Sequence, residues 1–339
     1  MSGSLRWGIL GTGNIARQFA AGVGTSRSGK LAAVGSRNAS AADSFAQTFN
    51  VPQSFGSYND VLKSGDVEIV YVALPNSMHY EWTLEALRAG KHVLCEKPIA
   101  SNVAEAEEMF DVADRAGKVL IEAFMYRAHP LTLAVVEAVK SGAIGELKLI
   151  RTSFCYRTRK IEDNIRFSKA LAGGALMDIG CYCINFSRLF AGSEPSRVEV
   201  QGHVHETGID DLAVGTLSFP NGVFASFTCG MTVQADNTAY LCGSEGYIEI
   251  PVPWKPPKEN AEFTIARSTP PRMDSVGAAV PTVPPREKRV VSAGVDLYAV
   301  EADDVTATIL DGQPPRITRQ DSIGNMQVLD AMRRQLKIL

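Results

Sequence analysis

Three stretches of the chain carry groups suited to redox chemistry on a small molecule. Gly11-Thr12-Gly13-Asn14-Ile15-Ala16 follows an apolar strand pattern and opens a helical one. In such a string the first glycine permits a tight turn. The second lets the backbone approach a pyrophosphate, and the small Ala16 lets helix and strand pack closely. The helix start offers free N–H groups and the positive end of the helix dipole. A second strand, 30–35, ends in Gly35-Ser36-Arg37-Asn38 without an acid. An NAD site usually has Asp or Glu there for the ribose diol, whereas Ser36 and Arg37 suit a 2′-phosphate. NADP is the expected cofactor, ahead of NAD.

The second stretch is Glu96-Lys97-Pro98, directly after an apolar strand ending at Cys95. Proline keeps the residue before it out of a helix. Ligands of open α/β sheets bind beyond the carboxyl ends of the strands, so Lys97 is expected beside the nicotinamide. The third is Gly173–Tyr182, where Asp178 and Tyr182 stand four residues apart. On a helix they share one face, although the spacing fits a polar-face aspartate and a core tyrosine equally well.

These groups need a framework, and the rhythm of the chain supplies one. Over 1–122 short apolar runs alternate with amphipathic helical patterns, which implies a parallel, doubly wound sheet. Past about residue 124 the rhythm changes. Helical patterns at 131–140 and 174–190 are joined by a long strand-like stretch, 146–158. Closely spaced strands follow at 196–206, 211–219, 222–230, 238–242 and 246–250, with Asn221-Gly222 as a hairpin signal. Nine of the 17 prolines lie in 251–285, which reads as a long loop with one edge strand near 261–267. Helical patterns resume at 296–310 and 322–336.

Composition narrows the function classes. The 339 residues are 45% hydrophobic with a net charge of −3, which excludes whole-chain disorder and gives no basic stripe for nucleic acid. No apolar run reaches the ~18 residues of a membrane span. The N-terminus leads into the first strand without a signal-peptide pattern, so a cytoplasmic location is expected. Cys95, Cys155, Cys181, Cys183, Cys229 and Cys242 then read as reduced thiols. Cys181-Tyr182-Cys183 lacks a second ligand pair, so no metal is expected. The basic stretch Arg151, Arg157, Arg159, Lys160, Arg166 and Lys169 reads as a solvated face rather than part of a site.

The motifs together resemble the Gfo/Idh/MocA oxidoreductases through nearly the whole chain. They are the glycine-rich start, Glu96-Lys97-Pro98, Met125-Tyr126-Arg127-Ala128-His129-Pro130, Asp178 with Tyr182, and Gly324-Asn325-Met326. Many members carry His four residues after the Asp. Tyr182 there resembles the branch with glucose–fructose oxidoreductase, NADP-dependent D-xylose dehydrogenase and dimeric dihydrodiol dehydrogenase. The resemblance implies an α/β fold with an N-terminal Rossmann domain, 1–124. A C-terminal α+β domain, 125–339, would carry a large, mostly antiparallel open sheet, with its last helices packing back on the chain. It implies homodimers or homotetramers paired through that sheet. It makes Tyr182 the general acid/base, with Lys97 lowering its pKa and stabilising an oxyanion, and Asp178 orienting substrate hydroxyls. Leu74, Pro75, Asn76, His79 and Glu96 would join Gly11 to Ile15 around the cofactor, and Arg127 would reach the substrate.

The expected function is an NADP-dependent oxidoreductase acting on a sugar, sugar derivative or polyol. A trans-dihydrodiol dehydrogenase is a close alternative. A non-catalytic NADP-binding regulator is the alternative from another class; it has no need of both Lys97 and Tyr182.

Overall fold

The computed structural model describes residues 3–269, 272–280 and 283–339. Its first half runs β1 (Leu5–Leu10), α1 (Asn14–Val23), β2 (Gly29–Gly35), α2 (Ala39–Phe49), β3 (Gln53–Phe55), α3 (Tyr58–Lys63), β4 (Ile69–Val72), α4 (His79–Arg88), β5 (His92–Glu96), α5 (Val103–Ala116) and β6 (Leu120–Ala123). The strands form one sheet in the order β3-β2-β1-β4-β5-β6, and every pair is parallel. Ile69-Val70-Tyr71-Val72 is buried throughout, as a central parallel strand covered on both faces must be. Phe19 of α1 stacks on Tyr71 with ring centroids 3.9 Å apart and meets Trp7 edge-on, which seats α1 against the sheet. Sequence reading missed β3 and α3: three half-buried residues and a six-residue helix are too short to show a period.

The second half holds α6 (Pro130–Lys140), β7 (Leu147–Cys155), α7 (Cys181–Ala191), β8 (Arg197–Val204), β9 (Asp210–Ser218), β10 (Phe224–Gly230), β11 (Ala239–Gly243), β12 (Gly246–Ile250), β13 (Ala261–Arg267), β14 (Arg272–Met273), β15 (Ala279–Val280), β16 (Arg286–Val291), α8 (Leu297–Leu310) and α9 (Arg319–Gln335). Eight strands make one sheet in the order β16-β13-β12-β11-β7-β10-β9-β8. Only the β7–β10 pair in it is parallel. One correction concerns 261–267: β13 is not an edge strand, because β16 covers its far side. The proline count diluted a proline-free window, Ala261–Arg267, that is free to donate along both flanks. Part of the proline-rich loop lies outside the described residues.

The helix expected over 174–190 begins instead with a π-helical turn, Leu176–Gly180, ahead of α7. The C-terminal helices bind both halves. Asp303 of α8 accepts hydrogen bonds from the Ser26 and Ser28 hydroxyls, each at 2.6 Å. Arg319 of α9 bridges Asp111 and Asp114 on α5. Asn325 of α9 donates to the Cys181 carbonyl at 3.2 Å, which buttresses the start of α7. Among the described residues no helix is long and apolar enough to cross a membrane. All six cysteines are free thiols, and no group of side chains among the described residues has a metal-holding arrangement.

Candidate active site

A cleft of about 870 Å³ opens where the two halves meet, at the carboxyl ends of β1, β2, β4 and β5. Gly11, Thr12, Gly13, Asn14 and Ile15 line one end of it, with Ser36 and Arg37, and Leu74, Pro75 and Asn76 form another wall. Gly11 sits at φ +106°, and a Cβ there would lie 2.6 Å from the Ala73 carbonyl oxygen. Protein packing therefore demands that glycine. Gly13 is different, since a Cβ would meet nothing within 4 Å. The space in front of it faces the cleft, as an approaching pyrophosphate requires. α1 also has no side-chain cap, whereas Asn38, Ser57 and Asn102 cap α2, α3 and α5. Its first N–H groups are left for a ligand, so the cradle fits a dinucleotide.

At the β2 end the Ser36 hydroxyl accepts from the Asn38 N–H at 3.2 Å. Arg37 extends beside Tyr58, a cleft residue the sequence reading did not single out. No carboxylate ends β2.

At the other end of the cleft four chain segments converge. Lys97 follows β5 and points its ammonium at the π turn. Nζ donates to the Asp178 carbonyl oxygen at 2.6 Å and to Oδ1 at 3.2 Å. Asp178 Oδ2 accepts from Tyr156 Oη at 2.6 Å and from Arg166 Nε at 3.0 Å. Burial works against the Asp178 carboxylate, but Lys97, Arg166 and the Tyr156 hydroxyl outweigh it and hold its pKa far below the ordinary range. Burial likewise opposes the Lys97 ammonium; Asp178, Cys181 and Glu96 reverse that, and its pKa is raised.

Tyr182 presents its ring to the same ammonium, with Nζ 5.2 Å from the centroid. Its hydroxyl turns toward Met125 Sδ at 3.4 Å. Here the expected electrostatics are corrected. Burial first, then Glu96 and other neighbours, push the Tyr182 pKa well above 10. The ammonium meets the ring face rather than the hydroxyl, and Asp178 already engages its charge. The Asp178 oxygens accept from Lys97, Tyr156 and Arg166, so in this structure the carboxylate anchors cations.

Of the other expected residues, Glu96 lines the cleft while His79, Arg127 and His129 lie around it. His79 is fully buried, its Nδ1 2.8 Å from the Pro98 carbonyl and its Nε2 2.9 Å from that of Leu74. It ties the Lys97 loop to the β4 turn, and burial lowers its pKa to about 4. Glu96 lines the cleft from beneath, bonded to the Tyr71 hydroxyl and to the Lys97 N–H at 3.2 Å. Arg127 is not brought to the cleft. Its guanidinium donates to Asn185 Oδ1 at 3.0 Å and the Arg316 carbonyl at 2.7 Å, locking the junction of the halves. His129 caps α6 through the Leu131 N–H.

Tyr156, Arg166, Met125 and Lys255 were missed as site residues. Arg166 belongs to the basic stretch read as solvated, and that reading fails for it alone among the charges shown here to contact the cluster. Only its chain-distant neighbour Asp178 marks it out, so no local pattern carried the signal.

Known proteins agree with this architecture. Residues 5–124 match the pattern of the oxidoreductase family with an NAD-binding Rossmann fold, and 132–249 match the GFO/IDH/MocA C-terminal domain. The chain is 38% identical to the trans-1,2-dihydrobenzene-1,2-diol dehydrogenase of Mus musculus over 256 residues, 75% of this chain and 76% of that one. A 3-ketoreductase from Actinomadura kijaniata, solved with NADP and TDP-benzene, superposes with a TM-score of 0.85 at 30% identity, covering 98% of this chain and 97% of the other. An aldose–aldose oxidoreductase from Caulobacter crescentus, solved with glycerol, reaches 0.86 at 26% identity, with 98% of each chain covered.

Proposed function

The chain belongs to the Gfo/Idh/MocA oxidoreductase family, and on that premise we propose that it is an NADP-dependent oxidoreductase of sugars, sugar derivatives or related polyols. Hydride would move between the nicotinamide and a secondary alcohol or its carbonyl. The observation that carries this reading is the meeting of Lys97, Asp178 and Tyr182 in the cleft that also holds the α1 cradle. Gly11 to Ile15 would hold the pyrophosphate, Ser36 and Arg37 the 2′-phosphate, and Leu74 to Asn76 the nicotinamide side.

When bound, the nicotinamide supplies or accepts the hydride. The chain's own residues manage charge and proton. As a carbonyl is reduced its oxygen gains negative charge, which the Lys97 ammonium stabilises. Tyr182, kept protonated by burial, gives that oxygen a proton. A protonated phenol is the form that the reduction step uses. Asp178 keeps Lys97 charged and in place. Tyr156 Oη, as an acceptor, and the terminal nitrogens of Arg166, which Asp178 does not engage, would meet substrate hydroxyls.

The dihydrodiol reading has its own support in the identity to the mouse enzyme. For assembly, the outward face of the eight-stranded sheet exposes Phe224 and Val214, 58% and 50% accessible, beside the Arg151–Tyr240 pair. This supports pairing of two copies through that face.

NADPH absorbance followed against keto-sugars, and NADP reduction against aldoses and a trans-dihydrodiol, tests the assignment. Turnover of a sugar is expected. Turnover confined to the dihydrodiol transfers the assignment to the second reading, and tight NADPH binding without turnover on any of them defeats both.

A further inference from the structure

The segment between β12 and β13, two strands of the second-half sheet, reaches toward the first half of the molecule. Pro251, Pro253, Pro256 and Pro257 stiffen it. Trp254 anchors it: its Nε1 donates to the Ser153 carbonyl at 2.8 Å, and its ring stacks on Phe154 with centroids 5.6 Å apart and planes 9° from parallel. The same indole packs against Tyr126, Tyr182 and Phe186. The next residue, Lys255, is thereby fixed at its backbone and sends its side chain into the cofactor cleft.

There the ammonium donates to Gln18 Oε1 at 3.1 Å. Gln18 stands one turn along α1 and leans back toward its N-terminus, with Nε2 3.5 Å from the Asn14 carbonyl. Tyr298 Oη, 3.3 Å away, holds the same Gln18 oxygen from α8. Lys255 therefore stands beside the uncapped helix start. Among the described residues it has no carboxylate at ion-pair distance, whereas Lys97 and Arg166 both share Asp178. Its side chain is exposed overall, yet the ammonium end is partly desolvated. That effect lowers its pKa; Glu96 opposes the shift, Lys97 reinforces it, Asp178 opposes it and Arg166 reinforces it. A cation so placed lacks an anion that the protein does not provide.

We propose that Lys255 is a cofactor-binding residue, a cation that the second half of the molecule delivers across the cleft to the pyrophosphate of the dinucleotide bound at the α1 N-terminus. The helix start gives directed N–H donors but only a partial positive charge, and a pyrophosphate carries two negative charges. Lys255 supplies the full charge that Gly11 to Ile15 lack. The proline-rich segment then has a task, which is to hold that charge in position before the ligand arrives and so limit the ordering cost of binding. The inference rests on the dinucleotide reading above.

Two ligands separate the possibilities. NADPH carries the pyrophosphate; adenosine 2′-monophosphate carries the adenine and 2′-phosphate without it. Calorimetric or fluorescence titration of Lys255→Met is expected to show NADPH weakened roughly 10-fold. The 2′-monophosphate should bind as it does to the unaltered chain. Lys255→Arg should restore most of the NADPH affinity. Unchanged NADPH binding in Lys255→Met overturns the proposal while leaving the cofactor reading intact. Equal weakening of both ligands also overturns it, since the loss then lies in the shape of the cleft. If the unaltered chain binds neither NADPH nor NADH, both the proposal and the cofactor reading fall.

Discussion

The two ends of the cleft solve opposite problems. The α1 cradle comes from one contiguous stretch, Gly11 to Ile15, and it is left unfinished: an uncapped helix and open space at Gly13. The Lys97–Asp178–Tyr156–Arg166 cluster draws on β5, the π turn, the end of β7 and a short 3-10 turn, and its charges and hydrogen bonds are already closed on one another. A cofactor site gains affinity from donors left unpaired until the ligand comes. A catalytic site gains from groups fixed before the reaction starts, because charge then develops against dipoles that need not reorganise.

Substitutions at the two ends should therefore fail differently. The largest effect is expected at Lys97. Lys97→Met should lower kcat by roughly 1000-fold, and Tyr182→Phe by a comparable factor, with NADPH affinity nearly unchanged in direct titration. Loss of NADPH binding in step with turnover would erase the distinction between the two ends. Asp178→Asn comes next, since it strands two cations in a cluster where the carboxylate is 13% exposed. About 3 kcal/mol of stability should be lost, measured by denaturant unfolding at neutral pH.

The pH dependence of that loss has a definite sign. The folded-state pKa of Asp178 is depressed below its unfolded value near 4. Its contribution is complete above that value and disappears as pH falls toward the folded-state pKa. The difference between the unaltered chain and Asp178→Asn should thus be largest at neutral pH and shrink in acid. A gap that stays constant into acid would mean that the carboxylate charge is not what holds the cluster.

At the cradle, Gly13→Ala should leave the melting temperature close to that of the unaltered chain, because a Cβ there meets nothing in the protein within 4 Å. NADPH binding should weaken about 100-fold, the equivalent of about 2.7 kcal/mol. A large drop in melting temperature would show that Gly13 serves packing, as Gly11 does. The smallest effect is expected at Arg37. Arg37→Ala should cost roughly 10-fold in NADPH affinity and leave NADH almost unaffected, which a pair of titrations reads directly.

Legibility followed the same division. Gly11 to Ala16, the strand before it and the helix after it are local, so periodicity and glycine placement displayed them. The parallel, doubly wound character of the first sheet followed from strand–helix alternation, but its strand order did not. The eight-stranded sheet was legible as a set of strands but not as an order, and β13 read as an edge because β16, Arg286–Val291, is charged and exposed along nearly its whole length. Arg166 and Tyr156 read as members of a basic strand and loop. Nothing near them in sequence announces Asp178, twelve and 22 residues away. Arg127, read both as a junction residue and as a substrate contact, bonds Asn185 and the Arg316 carbonyl at that junction and does not line the cleft.

What the sequence by itself determined was the chemistry available: a pyrophosphate cradle, a strand end free of acid, a lysine set after a strand, and a tyrosine on a helix. These depend on residue type and on spacings of a few residues, which the chain carries in its own order. Tertiary structure decided which charges neutralise each other. It gave Lys97 to Asp178 rather than to the Tyr182 hydroxyl, drew Arg166 out of a solvated stretch, and left Lys255 at the cofactor end with Gln18 but, among the described residues, no carboxylate partner. Pairing energies depend on distance and on exclusion of water, and folding alone sets both.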